Sequence, residues 1–115
     1  MGMFDASAFD SRFSKYQQDG SNFVRLFVHF NGCKQYQYWN EDGSFKRLGN
    51  DFLEDFGSML SIAKEYNLQI LPSLWSFECI DCDACRAMVK DSTKTQSYVE
   101  NGISPLLDYV SAQGY

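Results

Sequence analysis

The sequence predicts an α/β protein in which two parallel β-strands are joined by helical connections. Two near-continuous apolar runs, 23–30 and 69–75, are typical of strands buried on both faces of a parallel sheet. Segments with helical spacing of apolar residues lie before, between and after these runs, which gives the order α-β-α-β-α. Two strands do not complete such a sheet, and both edges would stay open. We therefore expect either a piece of a larger protein or a chain that assembles with others.

Length and composition limit the classes of function. The 115 residues allow one small domain, and 10 basic against 15 acidic side chains give a net charge of −5. This charge argues against non-specific binding to nucleic acid or to anionic membranes. No apolar run approaches the roughly 20 residues of a membrane span. Residues 1–10 lack the basic and apolar regions of a signal peptide, so we expect none in this chain.

The first helix and the first strand are defined by their spacing. Phe9, Phe13 and Tyr16 recur at helical spacing, and Gly20 follows as a stop signal. In the strand that follows, apolar residues alternate between two faces. One face carries Val24, Leu26, Val28 and Phe30, and the other carries Phe23, Arg25, Phe27 and His29. We interpret residues 33–50 as a loop, with Asn40-Glu-Asp-Gly43 as its turn.

The second helix is predicted to begin at Asp51, because Glu54 three residues later completes a capping box. Asn67 is a candidate left-handed terminator for this helix. Its apolar residues share one face, and they are Phe52, Phe56, Met59, Leu60 and Ala63.

The second strand, Gln69–Trp75, contains Pro72, which fits a central strand badly because it lacks an N–H group. We interpret residues 78–91 as a loop. Asp91 or Ser92 caps the last helix, whose apolar side includes Tyr98, and Pro105 marks a kink or a restart within it.

Arg25 is the most informative polar residue. An unpaired guanidinium is costly to bury in an apolar strand, so a partner carboxylate or ligand is expected. Neither strand contains an acidic residue, which places this partner outside the chain. The alternative is a structural ion pair with a helix carboxylate such as Asp55 or Glu65.

His29 and Trp75 end the two predicted strands. In parallel α/β folds the carboxyl ends of the strands form the ligand site. His29 is therefore a candidate site residue, although a hydrogen-bonded structural histidine is the more common case. Trp75 could stack on a sugar ring or could be a core residue.

Four cysteines complete the candidate set: Cys33, and Cys79, Cys82 and Cys85 in a C-x2-C-x2-C arrangement. Four thiolates could hold zinc or an iron–sulfur cluster, but the usual zinc pattern has two separated C-x-x-C pairs. Disulfides in an oxidising compartment are favoured, for example between Cys33 and one member of the triplet, and free thiols are the remaining alternative. With no histidine on these loops, a cysteine nucleophile is poorly supported.

Four segments carry a resemblance to a known family. They are NFVRLFVH (22–29), DG (42–43), LQILPSLWSF (68–77) and DSTKTQSYVENGISP (91–105). Together they resemble the second and third strands, and the helix after the third strand, of glycoside hydrolase family 5, above all its endo-β-mannanase-like members. The resemblance covers about residues 9–115 and implies a partial (β/α)8 TIM barrel. Residues 1–115 would then lack the first strand and everything from the fourth strand onward.

The resemblance also implies a function. Family members hydrolyse β-1,4-linked polysaccharides such as mannan with retention, using two carboxyl groups as nucleophile and acid/base. Both catalytic glutamates lie on strands outside this chain, so the chain alone is expected to be inactive. Arg25 matches the arginine that keeps the nucleophile ionised, and His29 and Trp75 match positions at the rim of the sugar cleft. The family also implies secretion, a β-linked polysaccharide or oligosaccharide as partner, and no metal or other cofactor.

Two other classes of function stay open at the level of sequence. One is a non-catalytic carbohydrate-binding or pseudoenzyme module that retains the aromatic cleft. The other is a small metal-binding domain built on the four cysteines. Because the two parallel strands leave open edges, we expect the isolated chain to be poorly folded or to self-associate.

Overall fold

The computed structural model describes residues 4–29 and 37–115 of the chain. The strands are β1 (Phe23–His29), β2 (Gln37–Trp39), β3 (Phe45–Leu48) and β4 (Gln69–Trp75). The α-helices are α1 (Ala6–Gln18), α2 (Phe52–Glu65), α3 (Asp83–Lys90), α4 (Ser92–Tyr98) and α5 (Ser104–Ala112). A 3-10 helix spans Phe77–Asp81 and a π-helix spans Val99–Ile103. In these ranges no helix combines the length and the apolar character that crossing a membrane requires.

The two long strands pair in parallel, as predicted. The register runs from Phe23 opposite Gln69 to His29 opposite Trp75 without a shift. Pro72 lies within β4, opposite Leu26. Among the described residues β4 pairs with β1 alone, and a strand with an open edge tolerates a missing N–H group.

The helices cover one face of this sheet. Val28, Phe56, Met59 and Ala63 are fully buried there, and α1 packs against α2. The residues of β1 and β4 that alternate with Val28 also pack on this core, and they are Val24, Leu26, Ile70 and Leu74. On the opposite face, which carries Arg25, no helix of the described ranges packs against the N-terminal half of the strands, where Phe23 and Leu71 are exposed.

The predicted loop over 33–50 is wrong for residues 37–48, which form an antiparallel hairpin of β2 and β3. The turn signal is correct: the backbone N–H of Asn40 donates to the carbonyl of Ser44 at 2.8 Å, and Gly43 has a φ of +84°. The hairpin was missed because its strands are only three and four residues long. Too few residues alternate there to separate a strand from a loop.

The predicted loop over 78–91 is also wrong. The 3-10 helix and α3 occupy most of this segment. Their buried residues are Cys79 and Cys85 together with Met88, so the apolar side of α3 consists partly of cysteines. A buried cysteine takes the place of a larger apolar residue here, so the sequence shows only a weak helical spacing of apolar residues.

Helix α2 begins after Asp51, but the predicted capping box is absent. Asp51 has helical backbone angles (φ −91°, ψ −3°), and its side chain makes no capping hydrogen bond. A capping box needs an extended residue at that position, which explains the difference. Asn67 does end the segment in the left-handed region, with a φ of 54°.

The C-terminal helical segment is interrupted, as Pro105 predicted. Asp91 caps α4 by accepting a hydrogen bond from the backbone N–H of Lys94 at 3.0 Å. The π-helix then separates α4 from α5, and Pro105 lies in the first turn of α5. Pro105 has no N–H to donate, so its place at a helix start costs little.

Gly102 in the π-helix is expected to be intolerant of a side chain. A Cβ there would lie 2.7 Å from Tyr98 Cε2 and 3.2 Å from Phe45 Cε1. Because both rings are buried, Gly102→Ala should lower the free energy of unfolding by about 1–3 kcal/mol. Urea unfolding compared with Ser111→Ala, on the exposed side of α5, measures the difference. Equal stabilities of the two variants would contradict this packing.

Candidate functional site

Arg25 lies in the middle of β1 on the face of the sheet that the helices leave uncovered. Its Nε donates a hydrogen bond to Ser73 Oγ at 2.8 Å, and its Cζ lies 4.8 Å from the centre of the Phe27 ring. The side chain is exposed in this chain, so the burial cost that predicted a partner does not arise here. Within residues 4–29 and 37–115 Arg25 forms no ion pair, so the alternative pairing of Arg25 with a carboxylate of α2 is not present.

His29 is buried rather than exposed at a rim. Only 1% of the residue is accessible, and Nε2 lies 2.9 Å from the hydroxyl of Tyr98. Its ring packs against Trp75, with centroids 4.5 Å apart, and against Phe52 at 5.5 Å. Burial lowers the pKa of His29 to about 3, because a protonated ring away from water is poorly solvated. The imidazole is therefore neutral near pH 7 and cannot act there as a general acid.

An aromatic cluster surrounds His29 at the carboxyl ends of β1 and β4. We define the aromatic cluster by its members, which are His29, Trp39, Phe45, Phe52, Trp75 and Tyr98. The hairpin contributes two of these rings, and Tyr98 links them to the strand ends through edge contacts. The cluster therefore fixes where the ends of the two strands lie relative to the hairpin and α4.

Trp75 is half-buried, as is Trp39, whereas the other members of the aromatic cluster are buried. Its Nε1 is buried and makes no hydrogen bond to the described residues. Burial raises the pKa of Tyr98, and the nearby indole of Trp75 opposes this rise without reaching hydrogen-bonding geometry. Tyr98 was predicted only as an apolar helix residue. No sequence signal places it beside His29, since the two are 69 residues apart.

Disulfide-bonded cysteines follow the carboxyl end of β4. Cys79 and Cys85 are joined by a disulfide with Cα atoms 5.5 Å apart, and Cys82 is buried and also disulfide-bonded. Cys33 lies outside the described residues. Disulfide sulfurs are not thiolate ligands, so in this form Cys79 and Cys85 cannot bind a metal. Within the described ranges no group of three or more histidine, cysteine or acidic residues is placed to hold a metal.

A groove lies between α2, β4 and α5, on the side of β4 that has no described partner. Its volume is about 620 Å³ and its walls are largely apolar. Leu107 of α5, one of its lining residues, is 61% exposed. The β1–β4 sheet and the helices that cover it therefore leave apolar surface exposed at this edge of β4.

These features define the class of protein as an incomplete (β/α)8 barrel. Parallel strands with helices on one face, and polar groups on the other, are the repeating unit of that fold. The predicted fold class, α/β with a partial TIM barrel, is confirmed by solved structures that superpose on nearly the whole chain.

The particular proteins that the chain resembles are β-mannanases, and the predicted resemblance is confirmed. A mannan endo-1,4-β-mannosidase from Mytilus edulis is 28% identical over 102 residues, covering 87% of this chain. The chain spans only 28% of the length of that enzyme. No protein-family model matches the chain.

The structural comparisons agree on the fold. The β-mannanase of Mytilus edulis superposes with a TM-score of 0.80 at 23% identity, covering 93% of this chain and 31% of the enzyme. The β-1,4-D-mannanase of Cryptopygus antarcticus superposes with a TM-score of 0.83 at 18% identity, covering 93% of this chain and 30% of that protein. At these identities the likeness establishes the fold only. The matched segment is just under a third of each enzyme.

Proposed function

We propose that this chain is the segment carrying the second and third strands in the barrel of a retaining β-glycanase. Its substrate is a β-1,4-linked polysaccharide, with mannan favoured by the names of the similar enzymes. The observation that carries the proposal is Arg25, held on the uncovered face of β1 by Ser73 and Phe27. In a closed barrel that face points inward, toward the layer from which catalytic carboxylates are presented.

In this proposal Arg25 acts on a carboxylate that another strand supplies. Retaining hydrolysis needs one ionised carboxylate as nucleophile and one protonated carboxyl as acid/base, about 5–5.5 Å apart. A guanidinium beside the nucleophile favours its ionised form and fixes its orientation. Arg25 pairs with no carboxylate among the described residues, and its Nη1 and Nη2 atoms are available for this role.

Trp75 is the proposed sugar-binding surface of the chain. It lies at the carboxyl end of β4, and a partly exposed indole ring suits the apolar face of a pyranose. His29 packs against Trp75 from the buried side and holds it in place rather than contacting the sugar itself.

The incomplete edge supports the proposal that more strands follow. The groove beside β4, with Leu107 exposed in its wall, leaves apolar surface that a further parallel strand and its helix would cover. The same surface explains why the isolated chain is expected to self-associate.

We also propose that the complete protein is secreted. Cys79 and Cys85 are bonded, and no cysteine in the described part of the chain is free. Disulfides persist in oxidising compartments and are rare in the cytosol, which favours an extracellular location.

The chain alone is expected to release no reducing sugar from β-mannan, because a nucleophile and an acid/base must come from other strands. The test uses a hybrid barrel, in which this chain replaces the matching segment of the Mytilus edulis enzyme. The hybrid should hydrolyse β-mannan, and the intact mussel enzyme is the positive control.

Two outcomes would contradict the proposal. Sugar release by the chain alone would show that it carries its own catalytic groups. A hybrid that melts cooperatively, binds mannan and yet does not hydrolyse it would favour the second candidate, a non-catalytic carbohydrate-binding module that uses Trp75.

A further inference from the structure

We propose that Ser73 is a positioning residue for Arg25. It engages Nε of the guanidinium, and it thereby leaves the Nη1/Nη2 edge as the part of Arg25 that receives a carboxylate. The identity of that carboxylate, a catalytic nucleophile, rests on the proposed function. The hydrogen-bond geometry itself does not.

The sheet register determines the direction in which Ser73 draws Arg25. Arg25 lies opposite Leu71, whereas Ser73 lies opposite Phe27, two cross-strand pairs closer to the carboxyl ends. Two residues along a strand correspond to about 6.6 Å. The Nε–Oγ hydrogen bond of 2.8 Å therefore bends the guanidinium toward the end of the sheet where barrel enzymes place their sites.

The ring of Phe27 restrains the plane of the Arg25 guanidinium. Phe27 follows Arg25 by two residues on the same face, and its ring lies 4.8 Å from Arg25 Cζ. A cation over an aromatic face is attracted to it, and the planar guanidinium packs well there. With Ser73 on one side and Phe27 beneath it, the guanidinium is restrained before any partner arrives.

The donor atoms of arginine determine which edge of the guanidinium can bind a carboxylate. A carboxylate can bind side-on, to Nε and one Nη, or end-on, to both Nη atoms. Ser73 Oγ occupies Nε, so only the end-on fork is open without breaking an existing bond. Arg25 makes no other hydrogen bond or ion pair to the described residues, and so both Nη atoms are available for the fork.

The first test uses the full 115-residue chain labelled with 15N-arginine. It contains four arginines, so the Arg25 Nε–H signal can be assigned by its loss in Arg25→Lys. Ser73→Val removes the hydroxyl, and Ser73→Thr is its matched control of similar shape that keeps one. Water exchange of the Arg25 Nε–H should become about fivefold faster in Ser73→Val and stay near the wild-type rate in Ser73→Thr.

Signals of the other arginines report whether each variant keeps the fold, since Arg47 bonds Asn50 and Arg86 bonds Asp83.

A second test uses sodium acetate as the carboxylate probe and compares it with sodium chloride at equal ionic strength. In wild type, acetate should shift the Nη signals of Arg25 and leave Nε unchanged. In Ser73→Val it should shift Nε as well. Equal exchange or an equal acetate response in the Val and Thr variants overturns the proposal.

The hybrid barrel separates this proposal from the proposed function. There, Ser73→Val should lower kcat with little change in KM, and Ser73→Thr should restore it. An inactive hybrid would count against the glycanase function, while the nuclear magnetic resonance result would still decide the hydrogen-bond geometry. Wild-type turnover in an active Ser73→Val hybrid would overturn the positioning role.

Discussion

Replacing Arg25 by lysine should lower the turnover of the hybrid barrel on β-mannan by roughly 10²-fold or more. Lysine keeps the charge but lacks the planar fork, and it cannot bond both Ser73 and a carboxylate in the same geometry. The nucleophile would then be less well oriented and less fully ionised. Because this interaction serves the nucleophile and not the bound sugar, kcat should fall far more than KM rises.

The structural alternative for Arg25 makes the opposite prediction. If Arg25 only stabilised the fold, Arg25→Lys would lower the melting temperature and leave the turnover of the folded fraction unchanged. Measuring both quantities on the one variant decides between the two roles. Arg12→Lys, on the exposed surface of α1, is the matched control and should change neither.

Acid should destabilise the fold through His29. The folded-state pKa of about 3 lies below the ordinary value of 6.5, so the unfolded chain binds a proton more readily than the folded chain. Stability from the neutral ring is fully present above pH 6.5 and is lost as the pH falls toward 3. Between pH 7 and pH 4 the loss should be about 3 kcal/mol.

His29→Gln isolates this effect. Glutamine has an amide that can bond the Tyr98 hydroxyl but cannot gain a proton, so its stability should change much less over the same range. The pKa of Asp42 is lowered mainly by its hydrogen bond from the Ser44 side chain, and this exposed carboxylate contributes equally in both proteins. Urea unfolding at pH 7 and pH 4, repeated at several protein concentrations, gives the comparison. Equal losses in both proteins would show that His29 is not the responsible group.

Much of the scaffold could be predicted from sequence because its signals are local. The apolar runs of β1 and β4, the Asn67 terminator and the interruption at Pro105 each depend on neighbouring residues. The hairpin and α3 were missed because short strands and cysteine-rich helices give weak periodicity.

The candidate site was less predictable because its contacts are distant in sequence. Ser73 is 48 residues from Arg25, and only the strand register brings them together. The prediction placed Arg25 and His29 on one face, but it could not show that Arg25 is exposed while His29 is enclosed by rings from three other elements.

The spacing of β1 and β4 along the chain has a consequence for the time course of folding. Each paired residue of β4 lies 46 positions after its partner in β1, so no local step can form this sheet. The β2–β3 hairpin and α2 lie between them and need only nearby contacts, and they can form on the microsecond scale. Once formed, they reduce the number of flexible residues between β1 and β4. The entropic cost of pairing these two strands is then lower. We expect the parallel pairing to be the slow event, with the hairpin and α2 assembled before it.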